Sequence, residues 1–383
     1  MSQPYRVESL ALHQVGVFDD VSVDFKPIAP TERNTGKAEV HLLTGPNGCG
    51  KSTLLYALAD IFDSNNSSSL IRHRFRGSDS SVDFVFDEKA GSYGFRHARS
   101  ALPLHSTFSN RYGQYVVQSS DLPHHYFFGH GLADIRQDLH LYKTSAHEFQ
   151  PVNIHSQIRF SYAAFAYSGQ RTLRDTRLSS IHQITSSPFE AALSFDGAVR
   201  PQVLLQWIAN NRTQSALAKA DGDDKAAQTY DRALNRITTL IRDICDLELE
   251  FRLERSPLAV TVRVNGVTIH FDDLADGLKS IISWVADLSL RLEAIPWQEP
   301  RDLFSQPIIL LLDEVDIHLH PKWQRRVLPA IQTLLPNAQI FASTHSPIVM
   351  GSVEDAWIYR LPDPGQGNGI IEGMRSKLSP YSE

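Results

Sequence analysis

The spacing of apolar and polar positions divides the chain into alternating segments and helical segments. Alternation from residue 6 to 25 predicts two antiparallel strands, with the turn around Phe18-Asp19-Asp20. Alternation returns in residues 247–271, where Asn265-Gly266 predicts a tight hairpin. Residues 201–247 carry apolar side chains at three- and four-residue spacing, which predicts helices with a turn at 220–224. The chain therefore combines antiparallel strands with a helical region.

A second group of segments is apolar without alternation. Residues 40–44, 158–167, 308–312 and 339–343 are short and nearly unbroken apolar runs. Runs of this kind predict strands that are buried on both faces, as in a parallel sheet. We therefore expect an α/β fold.

Size, charge and cysteine content narrow the class of protein. The chain has 383 residues, 42% of them hydrophobic and 21% charged, as in a soluble globular protein. The net charge of -6 gives no overall attraction to nucleic acid, so a nucleic-acid site would be a local patch. Cys49 and Cys245 do not form a disulfide framework, and no long apolar segment occurs. We expect a cytoplasmic protein without a membrane partner.

Residues 45–52 read Gly-Pro-Asn-Gly-Cys-Gly-Lys-Ser and match the phosphate-loop pattern G-x-x-x-x-G-K-[ST]. The pattern lies between a predicted strand and a predicted helix, which is the arrangement that it requires. Its backbone N–H groups would point at phosphates, Lys51 would reach the β- and γ-phosphates, and Ser52 would ligate Mg²⁺. The predicted cofactors are therefore ATP and Mg²⁺, and the predicted ATP contacts are Asn47, Gly48, Cys49, Gly50, Lys51, Ser52 and Thr53.

Two adjacent acids, Asp313 and Glu314, follow the apolar run 308–312. Ligand sites of parallel sheets lie at this end of the strands. Two carboxylates beside a buried strand repel each other and lose solvation, and both effects cost free energy. A divalent cation next to a triphosphate would offset this cost. The pair therefore predicts a nucleotide site shared with the phosphate loop.

Three basic or histidine-rich stretches remain open to more than one interpretation. Arg72, Arg74 and Arg76 would share one face of an extended strand, where they either contact nucleic-acid phosphates or protect a solvated edge. Arg171, Arg174 and Arg177 would form a basic stripe if helical, with the same two interpretations. The histidines have no ligand spacing that favours a metal site. These histidines are His124, His125, His130 and His140.

The phosphate loop, the acid pair and Ser343-Thr344-His345-Ser346-Pro347 together resemble the ATP-binding cassette (ABC) type heads of SMC, RecF and OLD proteins. The resemblance is strongest to the AAA family ATPases of bacterial defence systems. It covers residues 5–62 and 270–361. It implies a P-loop NTPase of ABC-head type, with a mixed central sheet, an antiparallel β subdomain and a helical lobe.

The resemblance also implies roles for individual residues. Asp313 would hold Mg²⁺ through water, Glu314 would be the general base, and His345 would sense the γ-phosphate. Gln170 would contact Mg²⁺ and the attacking water. Leu274-Ala275-Asp276-Gly277 resembles the signature motif, whose Asp276 and Gly277 would complete the nucleotide site of a second copy. Here Ala275 and Asp276 replace the usual Ser and Gly, which removes one hydroxyl contact to the γ-phosphate.

The resemblance implies an ATPase that closes as a dimer or higher oligomer around ATP and regulates a separate effector in an anti-phage system such as Septu or PARIS. Few residues follow His345, so we expect any nuclease activity to belong to that partner. The alternative is a RecF-like repair ATPase that clamps DNA. A transporter ATPase is disfavoured because the signature-like motif begins far from Ser52 along the chain.

Three regions are expected from this comparison. Residues 1–62 and 270–383 would form the ATPase core. Residues 63–200 would form an inserted lobe, and residues 201–269 a helical lobe with a β-meander that leads to the signature-like motif.

Overall fold

The protein is described by a computed structural model. The described residues are 6–27, 36–63, 71–86, 93–101, 107–110, 113–116, 118–119, 125–129, 142–149, 151, 158–169, 178, 180–363, 365–366 and 368–376.

The strands of these residues, in chain order, are β1 (Val7–Val15), β2 (Phe18–Asp24), β3 (Glu39–Thr44), β4 (Ser81–Phe86), β5 (Tyr93–Ala98), β6 (Thr107–Asn110), β7 (Gly113–Val116), β8 (Gln118–Ser119), β9 (His125–Gly129), β10 (Ala163–Tyr167), β11 (Leu249–Arg255), β12 (Leu258–Val264), β13 (Val267–His270), β14 (Ile308–Leu312), β15 (Ala338–Ser343), β16 (Ala356–Arg360), β17 (Asn368–Ile371) and β18 (Gly373–Arg375). The α-helices are α1 (Lys51–Phe62), α2 (142–148), α3 (Pro201–Ala220), α4 (Asp224–Cys245), α5 (Asp276–Ala294), α6 (Pro321–Leu334) and α7 (Pro347–Met350).

A six-stranded sheet in the order β10-β14-β15-β3-β16-β18 forms the core. Its first five strands are parallel, and β18 is antiparallel to β16. All residues of β10, β14 and β15 are buried, as the unbroken apolar runs predict. Because the strands are parallel, the carboxyl ends of β10, β14, β15 and β3 lie along one edge of the sheet.

A seven-stranded sheet, β17-β2-β1-β4-β5-β9-β8, packs with the core sheet. The predicted hairpin between β1 and β2 is present, but its turn lies at Gly16-Val17 and not around residues 18–20. Gly16 has φ +58°, which a glycine adopts without steric strain, so the chain reverses there. Phe18 therefore begins β2 and is fully buried. The predicted mixed α/β architecture with an antiparallel subdomain is confirmed.

The extended strand expected for residues 71–76 is wrong. Residues Arg72–Arg74 form a 3₁₀ turn. The backbone N–H of Gly16 donates to the carbonyl of Arg74, and that of Arg76 donates to the carbonyl of Gln14. These two bonds hold the segment against the β1–β2 turn instead of in a strand, so the three arginines do not share one face.

The helical region and the meander follow the pattern predicted from the sequence. The side chain of Asp223 caps α4 by accepting a hydrogen bond from the N–H of Ala226 at 2.9 Å. Strands β11, β12 and β13 form an antiparallel sheet. Asn265 and Gly266 both have positive φ in the β12–β13 turn, as this turn type requires.

Residues 63–200, expected to form an inserted lobe, contribute strands to both large sheets. Strands β4, β5, β8 and β9 extend the sheet that β1 and β2 begin, and β10 is an edge strand of the core sheet. Within the described residues, none of the helices is both long and apolar enough to cross a membrane.

A buried polar cluster joins the two large sheets. It consists of Arg6, Glu39, His41, Gln339 and Tyr359. Arg6 precedes β1, whereas Glu39 and His41 lie on β3. The Arg6 guanidinium contacts Glu39 at 2.6 Å, and His41 Nε2 lies 2.7 Å from the same carboxylate oxygen. The cluster therefore fixes the start of the antiparallel sheet against the core sheet.

Candidate functional site

The phosphate loop follows β3 and leads into α1. Gly45, Gly48 and Gly50 have φ values of +146°, +77° and +101°, which residues other than glycine rarely adopt. A Cβ atom on Gly50 would also lie 2.3 Å from the ring of Phe18. Residues 46–48 are exposed, so the backbone N–H groups of Asn47 and Gly48 are accessible to an anion at the start of α1.

The Lys51 side chain lies back over this loop. Its Nζ donates to the carbonyls of Gly45 at 3.1 Å and Pro46 at 3.0 Å. The side chain is buried, with 6% exposure for the residue. The backbone carbonyls of the loop therefore hold the ammonium group at the place where the sequence predicts a contact with the β- and γ-phosphates.

The acid pair lies at the same edge of the sheet as the phosphate loop. Strand β15 separates β14, which ends before Asp313, from β3, which ends before Gly45. Asp313 is 7% exposed and Glu314 is partly exposed. The backbone N–H of Asp313 donates to the carbonyl of Tyr167 at 2.8 Å. The two motifs that the sequence places 260 residues apart therefore meet across one intervening strand.

Glu314 has φ +51°, the left-handed region. A non-glycine residue in this region costs about 1–2 kcal/mol, so its surroundings must hold it there. Residues at functional sites are found in such conformations more often than elsewhere. The backbone at Glu314 therefore departs from the extended conformation of β14.

Ser343, the last residue of β15, contacts both acids. Its hydroxyl donates to Asp313 Oδ1 at 2.5 Å and accepts from the backbone N–H of Glu314 at 2.7 Å. The N–H of Val315 also donates to the Ser343 carbonyl at 3.1 Å. Ser343 has no solvent exposure. The acid pair is thus held by β10 on one side and by β15 on the other.

Gly169 lies against Glu314 from the β10 side. A Cβ atom on Gly169 would be 2.7 Å from the Glu314 carbonyl oxygen and 2.8 Å from its Cβ. It would also be 2.5 Å from a methyl group of Ile317. A side chain at position 169 would therefore displace the backbone of Glu314.

His345 is exposed just beyond β15. The flanking residues are anchored: the N–H of Thr344 donates to the carbonyl of Leu43, and that of Ser346 to Thr344 Oγ1. The Ser346 hydroxyl donates to Gln324 Oε1 at 2.7 Å, and Gln324 Nε2 donates to the Leu319 carbonyl at 3.0 Å. Gln324 therefore joins the loop of His345 to the segment that follows the acid pair.

The signature-like segment begins α5. Asp276 is exposed, whereas Gly277 is buried. A Cβ atom on Gly277 would lie 2.5 Å from the carbonyl oxygen of His318, so the glycine allows α5 to pack on the segment after the acids. His318 itself has φ +61°. Gly277 thus has a packing role within this chain, besides the nucleotide contact that the resemblance implies.

Two arginines of the segment 71–76 contact neighbouring residues individually. Arg74 Nη1 donates to Thr53 Oγ1 at 3.0 Å, and its guanidinium lies 4.6 Å from the ring centroid of Tyr56. Arg76 donates to the carbonyl of Phe18 at 2.7 Å and to the carboxylate of Asp19. Arg74 therefore lies beside the first turns of α1, not in a row of phosphate contacts.

Tyr56 is electrostatically linked to the acid pair. Burial raises the pKa of Tyr56, and the negative charges of Asp313 and Asp196 raise it further. Its ring also packs edge-on against Phe195, with centroids 4.6 Å apart. Tyr56 therefore remains a neutral phenol at the side of the site.

The residues present fit a nucleotide with Mg²⁺. The described residues contain no group of three or more His, Cys, Asp or Glu side chains arranged for a metal. Mg²⁺ at a triphosphate needs only one or two protein oxygens besides phosphate and water. Ser52, partly exposed at the start of α1, and Asp313 supply a hydroxyl and a carboxylate.

Several predicted residues fall outside the described part of the chain. These are Gln170, the arginines Arg171, Arg174 and Arg177, and the histidines His124, His130 and His140. Gln170 follows Gly169 directly, so the described chain ends one residue before it.

Sequence reasoning missed the supporting roles of Ser343, Gly169 and Gln324. Ser343 is a hydroxyl residue at the end of an otherwise apolar strand, and that was the one available signal. No spacing pattern connects these three positions with the acid pair, because the contacts are made across strands and between loops.

A protein-family model described as "AAA domain, putative AbiEii toxin, Type IV TA system" matches residues 40–351, well over half of the chain. Three curated relatives have similar sequences. The chain is 32% identical over 130 residues to "Retron Ec83 probable ATPase" from Escherichia coli. These 130 residues are 34% of this chain and 24% of that protein. It is 36% identical over 118 residues to "Retron Vc95 probable ATPase" from Vibrio cholerae serotype O1 biovar El Tor, 30% of this chain and 22% of that protein.

The third relative is matched over more of its length. The chain is 23% identical over 344 residues to "Septu protein PtuA" from Bacillus thuringiensis, 86% of this chain and 74% of that protein. The chain thus spans less than a quarter of each retron protein but most of this Septu protein.

Solved SMC head domains also have similar structures. The head domain from Thermotoga maritima aligns with a TM-score of 0.44 and 15% identity, over 97% of this chain and 100% of that one. An SMC head bound to the C-terminal winged-helix domain of ScpA aligns with a TM-score of 0.49 and 12% identity, over 96% of this chain and 98% of that one.

Proposed function

We propose, since the chain belongs to the AAA-domain family whose model matches residues 40–351, that it binds and hydrolyses ATP as a switch in an anti-phage defence system. The observation that carries the proposal is the position of the phosphate loop and the acid pair on one edge of one parallel sheet, with only β15 between their strands. The Septu protein PtuA and the retron proteins named as probable ATPases are similar in sequence and support the biological setting.

Each residue has a role that its position supports. The backbone of residues 47–50 and Lys51 would bind the phosphates, and Mg²⁺ between Ser52 and Asp313 would offset the charge of the triphosphate. Glu314, whose backbone is in the left-handed conformation, would accept a proton from the attacking water. His345, exposed at the end of β15, would contact the γ-phosphate. Catalysis of phosphoryl transfer needs mainly this positioning and charge stabilisation.

The proposal extends to a dimer or higher oligomer of this chain around ATP. Asp276 is exposed at the start of α5, so this helix end is accessible to a second copy. Closure and reopening would regulate a separate effector protein, as the similarity to the Septu protein supports.

The substitution Glu314→Gln tests the hydrolytic role. It should lower ATP turnover by about 10²–10⁴-fold, because the amide cannot accept the proton, while ATP binding remains. Turnover is measured as phosphate release, and binding as the fluorescence change of a labelled ATP. Glu354→Gln, at an exposed glutamate that pairs with Lys37, is the control and should match the unmodified protein.

Normal turnover by the Glu314→Gln variant would remove Glu314 from the mechanism. Absence of ATP binding by the unmodified protein would contradict the proposed function as a whole.

Oligomerisation is tested with the same variant. Glu314→Gln should retain ATP and therefore remain closed, so its mass by light scattering should at least double when ATP and Mg²⁺ are added. A monomeric mass with bound ATP would contradict the closure.

Purification from the native host with a slowly hydrolysed ATP analogue then identifies the effector by what is recovered with the protein.

A further inference from the structure

We infer that Ser343 is a positioning residue that holds Asp313 and Glu314 in the arrangement required for binding Mg²⁺-ATP and for hydrolysis. The inference rests on the proposed function, since it assigns a new residue to the same site. Ser343 lies on β15, a different strand from the one that precedes the acids.

One hydroxyl makes both contacts. It donates to Asp313 Oδ1, which restricts the rotation of that carboxylate. It accepts from the N–H of Glu314, the residue whose backbone is left-handed, and so provides the partner that this partly buried backbone donor needs. Its two functions use the donor and the acceptor capacity of the same oxygen.

The opposite side of the pair is closed by backbone. Tyr167 accepts from the N–H of Asp313, and Gly169 lies in contact with Glu314. These contacts restrict the backbone but make no bond to either carboxylate. Ser343 supplies a side-chain hydrogen bond to a metal-binding carboxylate, which is the kind of contact that orients a ligand from outside the coordination shell.

The alternative is a purely structural role, in which the Ser343 hydroxyl only supplies a hydrogen bond to the buried Asp313 carboxylate. Such a role predicts a change in thermal stability without a specific effect on Mg²⁺. The positioning role predicts that turnover and the response to Mg²⁺ change together, while ATP binding in EDTA does not.

The experiment compares three substitutions. Ser343→Thr keeps the hydroxyl, Ser343→Val has almost the same shape as threonine without it, and Ser343→Ala removes the hydroxyl without added bulk. We expect the alanine and valine variants to lose about 10–100-fold in turnover, and threonine to exceed valine by about 10-fold or more. KM for ATP should change less than turnover.

A second measurement does not depend on hydrolysis. The affinity for a fluorescent ATP analogue is titrated with Mg²⁺, and also measured in EDTA. The Mg²⁺ concentration at half effect should rise by about 10-fold in the alanine and valine variants, with unchanged affinity in EDTA. Ser289→Ala is the control, because Ser289 is equally buried and its hydroxyl donates to the Val285 carbonyl of its own helix.

Turnover and Mg²⁺ response of Ser343→Ala equal to those of the Ser289→Ala control would overturn the inference. Equal values for the threonine and valine variants would do the same. If the bulkier pair does not fold, the alanine variant decides alone. If alanine does not fold, the matched pair decides. A protein that hydrolyses ATP and stops doing so in Glu314→Gln, with Ser343→Ala unaffected, refutes this inference and leaves the proposed function intact.

Discussion

At the scale of single residues, the site depends on a close backbone approach at Gly169. The position has no room for a methyl group, because the carbonyl and Cβ of Glu314 and a methyl group of Ile317 would all lie within 3.0 Å of it. Two of these atoms are the carbonyl oxygen and the Cβ of Glu314. The backbone fixes both, so they cannot move aside as the end of a flexible side chain could. The absence of a side chain at residue 169 is therefore a condition for the conformation of Glu314.

We expect Gly169→Ala to reduce ATP turnover by at least about 10-fold, because a displacement of about 1 Å at a catalytic group has effects of this order. Phosphate release is measured beside a melting temperature. Gly351→Ala is the control, since Gly351 has no positive φ and a Cβ there would meet its nearest atom at an ordinary 3.4 Å. Equal turnover of the two variants would show that Glu314 tolerates the displacement.

The sequence predicts the residues that carry a motif but not those that support them. Lys51, Asp313 and Glu314 belong to local patterns that are read within a few positions. Gly169 and Ser343 act on Glu314 from other strands, and such contacts depend on strand order and register. The β1–β2 turn also lies earlier than the sequence predicts, because Gly16 reverses the chain three residues before the polar pair at 19–20.

At the scale of elements, α5 carries a buried ion pair. Arg291 Nε donates to Asp287 at 2.5 Å, and both side chains have no exposure. The same guanidinium donates to the carbonyls of Pro188, Glu190 and Ala198. The hydroxyl of Tyr167, at the end of β10, donates to Asp287 at 3.0 Å. The pair therefore connects α5 with β10 and with the chain that leads to α3.

Replacing Arg291 by Met should destabilise the protein by about 3–5 kcal/mol, because Asp287 remains buried without its cation. The measurement is the melting temperature by calorimetry. Arg236→Met is the control, because Arg236 is largely exposed and lies 3.7 Å from Asp302, so an effect of only about 0–1 kcal/mol is expected. Equal shifts for both variants would show that the buried pair contributes no more than a surface pair.

Elements with a strong local pattern were predicted correctly from the sequence. Helix α4 has an apolar stripe and a capping aspartate, and the β12–β13 turn has Asn265-Gly266. The strand expected at residues 71–76 had alternating arginines but no partner that sequence could identify. Hydrogen bonds to Gln14 and Gly16 hold it as a turn, and contacts between distant segments have no local signal.

At the scale of the whole molecule, the cluster of Arg6, Glu39 and His41 fixes the two large sheets to each other. Burial alone would raise the pKa of Glu39, but the hydrogen bond and charge of His41 and the charge of Arg6 outweigh it and lower the pKa to about 2. Burial lowers the pKa of His41, although Glu39 opposes this. The carboxylate is therefore ionised in the folded protein across the physiological range.

The lowered pKa gives a direction for acid stability. A carboxyl group whose pKa is near 4.5 when unfolded and about 2 when folded stabilises the protein above pH 4.5, and this contribution is lost as the pH falls towards 2. The difference corresponds to about 3 kcal/mol. We therefore expect Glu39→Gln to be less stable at pH 7 and to show a shallower loss of melting temperature between about pH 4.5 and 2.

Asp79→Asn provides the comparison for this experiment. The pKa of Asp79 is also lowered, first by its hydrogen bond with His13, but the carboxylate lies at the surface. Its replacement should leave the acid profile close to that of the unmodified protein. An acid profile of Glu39→Gln parallel to that of the unmodified protein would contradict the role of the buried cluster.

The resting place of Lys51 has a consequence for the kinetics of nucleotide entry. Its ammonium group has carbonyl partners at Gly45 and Pro46, so incoming phosphate oxygens must compete with two existing acceptors. The same contacts hold the loop in one conformation, so little conformational entropy is lost when the nucleotide binds. Entry should therefore depend on an exchange of hydrogen-bond acceptors at one amine, with the surrounding turn already in shape.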